Sequence, residues 1–265
     1  MAAYYNHYPL KHFAATVANC MDLPLPEQYA PPVAWVSSIL RERMNGFADR
    51  AVLYHADAVG QYIWQKYTAL FAPVCRHTSV ALPFLSTVES VTPVAHASMY
   101  TGMDPEGHGI KTYVRPQLAC STLFDEASKA GKRAAILAME DTTFLHIFTG
   151  RPIDYFAAAN AAEIREKALE LISSDRYDLI SIHTFEYDNA AHAYGPESKE
   201  ALNAVSLEAE IFGEIAVEMK TFAGRHRMLL SYSPDHGQHL TDGGTGAHGS
   251  KMHEDMNVLH FFGTV

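Results

Sequence analysis

Seven side chains in the sequence are of the types that bind metal ions or act as nucleophiles. They are Asp57, Thr92, Asp188, His192, Asp235, His236 and His248. Carboxylate and imidazole groups bind zinc, manganese and iron in proteins, and a hydroxyl group held by such an ion becomes a usable nucleophile. Three carboxylates, three imidazoles and one hydroxyl would suffice for two divalent cations, provided that the fold brings them together.

Thr92 directly precedes a proline at the start of a short segment that can form a helix. Residues 94–101 are predicted as this helix, and Gly102 as its end, so that Thr92 is expected to be the N-cap residue. A hydroxyl and several unpaired backbone N–H groups at a helix N-terminus suit a phosphoryl group. A capping role alone would also explain this threonine, and its chemical role therefore depends on the other residues.

The elements that must position these residues are predicted strands. Strands are expected at 51–59, 79–86, 177–185 and 228–233. Asp57 lies near the carboxyl end of the first, and each of the other three is followed by one or two of the candidate residues. The carboxyl ends of parallel strands meet at one edge of a sheet, where ligands bind in open α/β folds. A helical turn after the third strand would also place Asp188 and His192 on one face.

Strands alternate with helices along the chain, which predicts an α/β fold with a mostly parallel sheet and helices on both of its faces. We expect residues 51–265 to form the catalytic domain and residues 1–50 to form a helical extension packed on it. Residues 141–158 show little periodicity and are interpreted as a small lid or surface excursion. We expect no large cap domain.

Composition narrows the classes of function. The 265 residues are 48% hydrophobic and 19% charged, as in an ordinary globular protein. No segment approaches the roughly 18 apolar residues of a membrane span, and the N-terminus lacks the apolar core of a signal peptide, so a cytoplasmic protein is expected. Three distant cysteines fit reduced thiols. A net charge of −10 argues against nucleic-acid binding by charge, but not against a small phosphate-ester substrate beside bound metals.

Several short motifs contain the candidate residues and their neighbours. They are Asp57 with Gly60; Thr92, Pro93 and His96; Gly107-His108-Gly109-Ile110; Asp188 with His192, Gly195 and Pro196; Asp235-His236-Gly237; and His248-Gly249. Together these motifs resemble the alkaline phosphatase superfamily, especially its branch of type I phosphodiesterases and nucleotide pyrophosphatases. They share the order and spacing of that family from about residue 51 to residue 265.

The resemblance implies an alkaline phosphatase-like fold and a two-metal hydrolase of phosphate esters. Phosphodiester or pyrophosphate bonds would be cleaved through a phospho-threonine intermediate. One metal ion would be held by Asp188, His192 and His248. The second would be held by Asp57, Asp235 and His236, with Thr92 as the nucleophile bound to it. Zinc is expected, and manganese and iron remain open.

Some assignments stay open at the level of the sequence. His253 is a rival for His248, which is preferred for its glycine-rich setting. Related diesterases have an asparagine after the Gly-His-Gly-Ile segment that helps to bind the phosphoryl oxygen, and this chain has none there; Lys111 or Arg115 could bind substrate instead. His96 and His108 resemble supporting residues of the family. The remaining histidines to consider are expected to be structural or solvent-facing: His55, His183, His239 and His260.

The function also has alternatives. A phosphomonoesterase or a phosphonate hydrolase of the same superfamily would use the same groups. A non-catalytic relative would bind two metal ions and hydrolyse nothing. The sequence leaves a homo-oligomer open.

Overall fold

A mixed sheet of eight strands forms the centre of the computed structural model, which describes residues 4–265. Its strands lie in the order β1-β3-β10-β7-β2-β6-β4-β5, and β10 alone runs antiparallel to its neighbours. They are β1 (Tyr8–Pro9), β2 (Arg50–Ala56), β3 (Val80–Leu85), β4 (Ala134–Met139), β5 (Asp154–Ala158), β6 (Leu179–Thr184), β7 (Met228–Tyr232) and β10 (Asn257–Thr264); the short strands β8 (His239–Leu240) and β9 (Gly246–Ala247) pair separately. The predicted α/β fold with a mostly parallel sheet is confirmed.

Helices cover both faces of the sheet. They are α1 (His12–Cys20), α2 (Ala34–Met44), α3 (Gln61–Lys66), α4 (Ala72–His77), α5 (Thr92–Thr101), α6 (Pro105–His108), α7 (Leu123–Lys129), α8 (Thr143–Ile147), α9 (Ala161–Ser173), α10 (Glu186–Tyr194), α11 (Lys199–Lys220) and α12 (His253–Met256). One apolar core lies beneath α1, α2, α5, α7 and α8, and a second lies beneath α3, α4, α9, α10 and α11. No helix in residues 4–265 is long and apolar enough to cross a membrane.

The N-terminal segment contributes more than the helices that the sequence predicts. Its strand β1 pairs in parallel with β3, with Tyr8 opposite Phe84. Phe13 of α1 is fully buried, and its ring packs 5.9 Å from that of His55 and 6.3 Å from that of Tyr100. The first three residues of the predicted extension lie outside the described residues. The predicted domain boundary at residue 50 stays a prediction. Residues on both sides of that boundary contribute to the same sheet and to the same apolar core.

One local prediction is wrong. Residues 141–158 are not a surface excursion, because they form α8 and then β5, which pairs with β4 at the edge of the main sheet. The segment after β2 forms α3 and then a separate turn of 3₁₀-helix at Thr68–Phe71. Edge strands and short helices carry weak periodicity, since few of their residues face the core.

Four buried histidines lie between the sheet and the layer formed by α1 and α5. His55, His96 and His260 have no exposed surface, and His183 is 1% exposed. Burial lowers the pKa of His55, His183 and His260 to about 3, and it lowers the pKa of His96 well below its usual value. These imidazoles are therefore neutral in the folded protein at neutral pH.

The buried histidines predict acid sensitivity. In the unfolded chain they take up protons near their ordinary pKa of 6.5, whereas in the folded protein His55, His183 and His260 do so only near pH 3. His96 in the folded protein also takes up a proton only well below its ordinary pKa. Stability is therefore complete above pH 6.5 and is lost as the pH falls towards 3, at up to about 1.4 kcal/mol per pH unit for each imidazole. Thermal unfolding followed by circular dichroism from pH 8 to pH 4 measures this loss. A midpoint that stays constant down to pH 5 would contradict it.

Candidate metal centre

The fold gathers all seven predicted metal-binding and nucleophilic residues at one edge of the sheet. Asp57 follows β2, and the segment after β3 leads to α5, which begins with Thr92. Helix α10 after β6 carries Asp188 and His192, whereas Asp235 and His236 follow β7, and His248 follows β9. Six of these residues form two groups, in each of which the ligand atoms lie within 4.8 Å of one another. We name Asp57, Asp235 and His236 the inner group, and Asp188, His192 and His248 the outer group.

The inner group is buried. The Nε2 atom of His236 lies 3.3 Å from Oδ1 of Asp57 and 3.5 Å from Oδ2 of Asp235. These two carboxylate oxygens are buried and have no hydrogen-bond partner within residues 4–265. Burial, together with the charges of Asp235 and Asp188, raises the pKa of Asp57 well above its usual value. Buried carboxylate oxygens without a hydrogen-bond partner fit a cation ligand site.

The outer group is more exposed. Oδ1 of Asp188 lies 3.4 Å from Nε2 of His192 and 3.7 Å from Nε2 of His248. Burial alone would raise the pKa of Asp188, but the hydrogen bond with His192 and the nearby imidazoles lower it overall. The hydrogen bond with Asp188 raises the pKa of His192, whereas burial and the charge of His236 lower that of His248 to about 4.

All three histidines of the two groups are oriented in the same way. Their Nδ1 atoms lie at hydrogen-bond distance from backbone carbonyl oxygens: His192 at 3.0 Å from Gly246, His236 at 3.1 Å from Gly237, and His248 at 3.1 Å from Ser90. An Nδ1–H donor in each bond leaves Nε2 as the lone-pair atom, and each Nε2 points at the carboxylates. This arrangement fixes the tautomer that a metal-binding histidine requires.

Two glycines allow these carbonyl groups to approach. A Cβ atom on Gly237 would lie 2.0 Å from the carbonyl oxygen of Glu254, and one on Gly246 would lie 2.2 Å from Oε1 of Gln238. Each clash involves a group packed against the site. Any side chain at these positions would therefore displace the carbonyl that holds a histidine.

The loop that carries His248 is anchored by a buried carboxylate. Asp255 accepts hydrogen bonds from the backbone N–H of Ser250 at 3.0 Å and from its hydroxyl at 2.6 Å, and it lies 2.8 Å from Nδ1 of His239. His253, the rival candidate, is exposed and pairs with Glu254 at 3.1 Å. The structure thus brings His248, and not His253, to the outer group.

Thr92 lies beside the inner group. Its Oγ1 is 3.3 Å from Oδ2 of Asp57, to which it donates, and 3.4 Å from Nε2 of His236. The prediction of Thr92 as the N-cap is wrong by one position, because Thr92 is the first residue of α5 and Val91 is the cap residue. The hydroxyl is consequently free of any capping bond and faces the metal ligands.

The sequence predicts several unpaired backbone N–H groups at the N-terminus of α5, but among the described residues we find one there. The N–H groups of Val94 and Ala95 both bond to the carbonyl of Val91. Pro93 has no N–H. Within residues 4–265 the N–H of Thr92 has no hydrogen-bond partner, and it lies on the same residue as the candidate nucleophile.

A cavity of about 380 Å³ opens above the two groups. It is lined by Asp57, Thr92, Tyr113, Arg115, Glu140, Asp141, Thr142, Thr143, His183, Phe185, Asp188, Asn189, His192 and His248. Arg115 therefore lies at the cavity, where its guanidinium is 3.4 Å from Oδ1 of Asp141. Lys111 is not among the lining residues; its ammonium lies 3.9 Å from Glu106.

Two polar residues at the site were missed in the sequence. Gln238 is buried, and its amide donates to Oδ1 and to the backbone oxygen of Asp188. His183 lines the cavity, with Nε2 3.3 Å from Oδ2 of Asp57. Only their positions along the chain could have indicated a role at the site. Gln238 directly follows Asp235-His236-Gly237, and His183 lies near the carboxyl end of β6.

Comparison with known proteins identifies relatives. Residues 55–243 match the family model described as type I phosphodiesterase / nucleotide pyrophosphatase. A search of curated proteins finds no match.

Solved structures with low sequence identity share the fold. Phosphonoacetate hydrolase from Sinorhizobium meliloti 1021, in complex with phosphonoformate, is 17% identical with a TM-score of 0.52, covering 72% of this chain and 56% of that chain. Murine ENPP5, an inactive variant in complex with AMP, is 16% identical with a TM-score of 0.57, covering 74% and 58%. The C-terminal periplasmic domain of EcEptC from Escherichia coli, in complex with Zn, is 14% identical with a TM-score of 0.56, covering 82% and 73%. The chain thus spans little more than half of the first two proteins.

The two ligand groups predict two metal equivalents. Replacing His248 by alanine should remove one equivalent, because it deletes one of the three ligands of the outer group and leaves the inner group complete. Metal analysis after gel filtration of zinc-loaded protein measures this. His253→Ala is the matched control and should keep both equivalents. Equal metal content in the two variants would remove His248 from the site.

Proposed function

The chain belongs to the type I phosphodiesterase / nucleotide pyrophosphatase family, and from this premise we propose that it is a metal-dependent hydrolase of phosphate esters with Thr92 as its nucleophile. One observation carries the proposal. The Thr92 hydroxyl lies 3.3 Å from Asp57 of the inner group and lines the cavity, so it adjoins both the metal ligands and the space for substrate.

Two divalent cations fit the donor sets of the site. The inner group would hold one ion, and the outer group would hold the other. When bound, they would favour the alkoxide form of the threonine and neutralise charge on the phosphoryl group. We propose zinc, since imidazole and carboxylate ligands suit it, although the same donors also suit manganese and iron.

The residues of the chain supply the remaining chemistry. Oγ1 of Thr92 would form a bond to phosphorus as the bond from phosphorus to the leaving oxygen breaks, and water would later hydrolyse the resulting threonine ester. The hydroxyl proton has an acceptor in Oδ2 of Asp57. The unpaired N–H of Thr92 is available to a phosphoryl oxygen.

The substrate that we propose is a phosphodiester or a pyrophosphate. A cavity of about 380 Å³ lies within the range of small-molecule sites, and Arg115 supplies a cation at its wall. The rings of Tyr113 and Phe185 also line it and offer apolar surface to a leaving group. A phosphomonoester or a phosphonate remains the alternative, and rates on p-nitrophenyl phosphate, bis-p-nitrophenyl phosphate and a phosphonate monoester separate these classes.

Thr92 provides the direct test of mechanism. Thr92→Ala should lower kcat by at least about a thousandfold on the preferred substrate while both metal ions remain bound, because the variant lacks the attacking oxygen. Thr92→Ser should retain measurable activity. Thr101→Ser, at the other end of α5, is the control for changes within this helix. Wild-type rates in Thr92→Ala would rule out the covalent mechanism.

Arg115 and Lys111 form a matched pair for substrate binding. Arg115→Ala should raise KM by about tenfold, because it removes a cation from the cavity wall, and the effect should diminish with added salt. Lys111→Ala should leave KM unchanged, because that side chain lies outside the cavity beside Glu106. Initial rates at varied substrate concentration measure both constants. Equal KM values in the two variants would remove Arg115 from substrate binding.

A further inference from the structure

We propose that His183 is a positioning residue for the inner metal ion. Its imidazole would donate a hydrogen bond to Oδ2 of Asp57, which leaves Oδ1 of that carboxylate directed at the ion. This inference rests on the proposed function, because it requires the inner group to bind a metal. It gives a role to a histidine that the sequence placed among structural or solvent-facing residues.

The two oxygens of Asp57 have different surroundings. Oδ2 lies 3.3 Å from Nε2 of His183 and 3.3 Å from the Thr92 hydroxyl. Oδ1 lies 3.3 Å from Nε2 of His236 and is otherwise without a partner in the described part of the chain. One oxygen thus faces two potential donors, and the other faces a fellow ligand. A ligating carboxylate held in this way presents a defined oxygen to its metal.

The ring of His183 packs against two other rings. It stacks on Phe144 with centroids 5.0 Å apart and an angle of 6° between the planes, and it meets the ring of His96 edge to face at 5.1 Å. Neither of its ring nitrogens has a correctly aligned hydrogen-bond partner within residues 4–265, although the side chain is 99% buried.

A purely space-filling role would not explain the residue. A buried imidazole without a hydrogen bond is unfavourable compared with an apolar side chain of similar size, so its retention requires a polar partner. Asp57 is the carboxylate in contact with it. His96 stands in the same relation to the second inner carboxylate, with Nε2 3.5 Å from Oδ2 of Asp235. Each carboxylate of the inner group thus has a buried imidazole in contact with it in addition to His236.

Two variants of similar size separate positioning from packing. His183→Leu removes the donor, whereas His183→Gln keeps an N–H group. Titration of metal-free protein with Zn²⁺ should show the inner equivalent weakened by about 10- to 100-fold in the leucine variant and by less than about threefold in the glutamine variant. The outer equivalent, identified as the one lost in His248→Ala, should be unchanged in both. Ile182→Val, on the other face of β6, is the control for the strand.

Each result has a definite meaning. Wild-type affinity in His183→Leu, or an equal loss in the leucine and glutamine variants, would overturn the positioning role. Failure of the wild-type protein to bind a metal at the inner group would overturn the proposed function instead. If the leucine variant does not fold, His183→Phe takes its place, because a phenyl ring keeps the stack on Phe144 while lacking the donor.

Discussion

Repulsion between buried carboxylates is the constraint on which the rest of the site depends. Asp57 and Asp235 lie away from water, and each has an oxygen without a hydrogen-bond partner in residues 4–265. Imidazoles contact both carboxylates, among them His183 beside Asp57 and His96 beside Asp235, and burial keeps these two rings neutral. These neutral imidazoles can therefore donate hydrogen bonds to the carboxylates, but they supply no positive charge. Under the proposed function, bound metal ions would supply the positive charge that the imidazoles do not.

That organisation is carried largely by the backbone. Carbonyl groups of three separate loops orient the three histidines, and glycines let two of these loops approach. The parallel strands bring the loops to one edge, and the antiparallel strand β10 lies between β3 and β7. Asp255, just before β10, anchors the loop that carries His248. Ligand geometry is thus set by contacts between distant parts of the chain.

The sequence predicts the sheet and the grouping of most candidate residues because all of them except His248 come at or after the end of an apolar strand. The sequence does not predict β1, because a strand of two residues is too short to show a periodic pattern of apolar residues. It also does not predict β5, which lies at the edge of the sheet and has alternating exposed residues. A histidine at the end of a buried strand cannot be distinguished by pattern from a core residue, and so His183 was assigned no contact with the site. Choosing between Lys111 and Arg115 required the path of an irregular loop, which only tertiary contacts determine.

The unequal burial of the two ligand groups has a kinetic consequence. The three residues of the inner group are buried, whereas His192 of the outer group is exposed. An ion in the outer group would therefore exchange with the medium more quickly than an ion in the inner group, whose ligands are held by the surrounding packing. A chelator would then strip the protein in two phases. The protein would pass through a singly loaded form in which only the ion beside Thr92 remains.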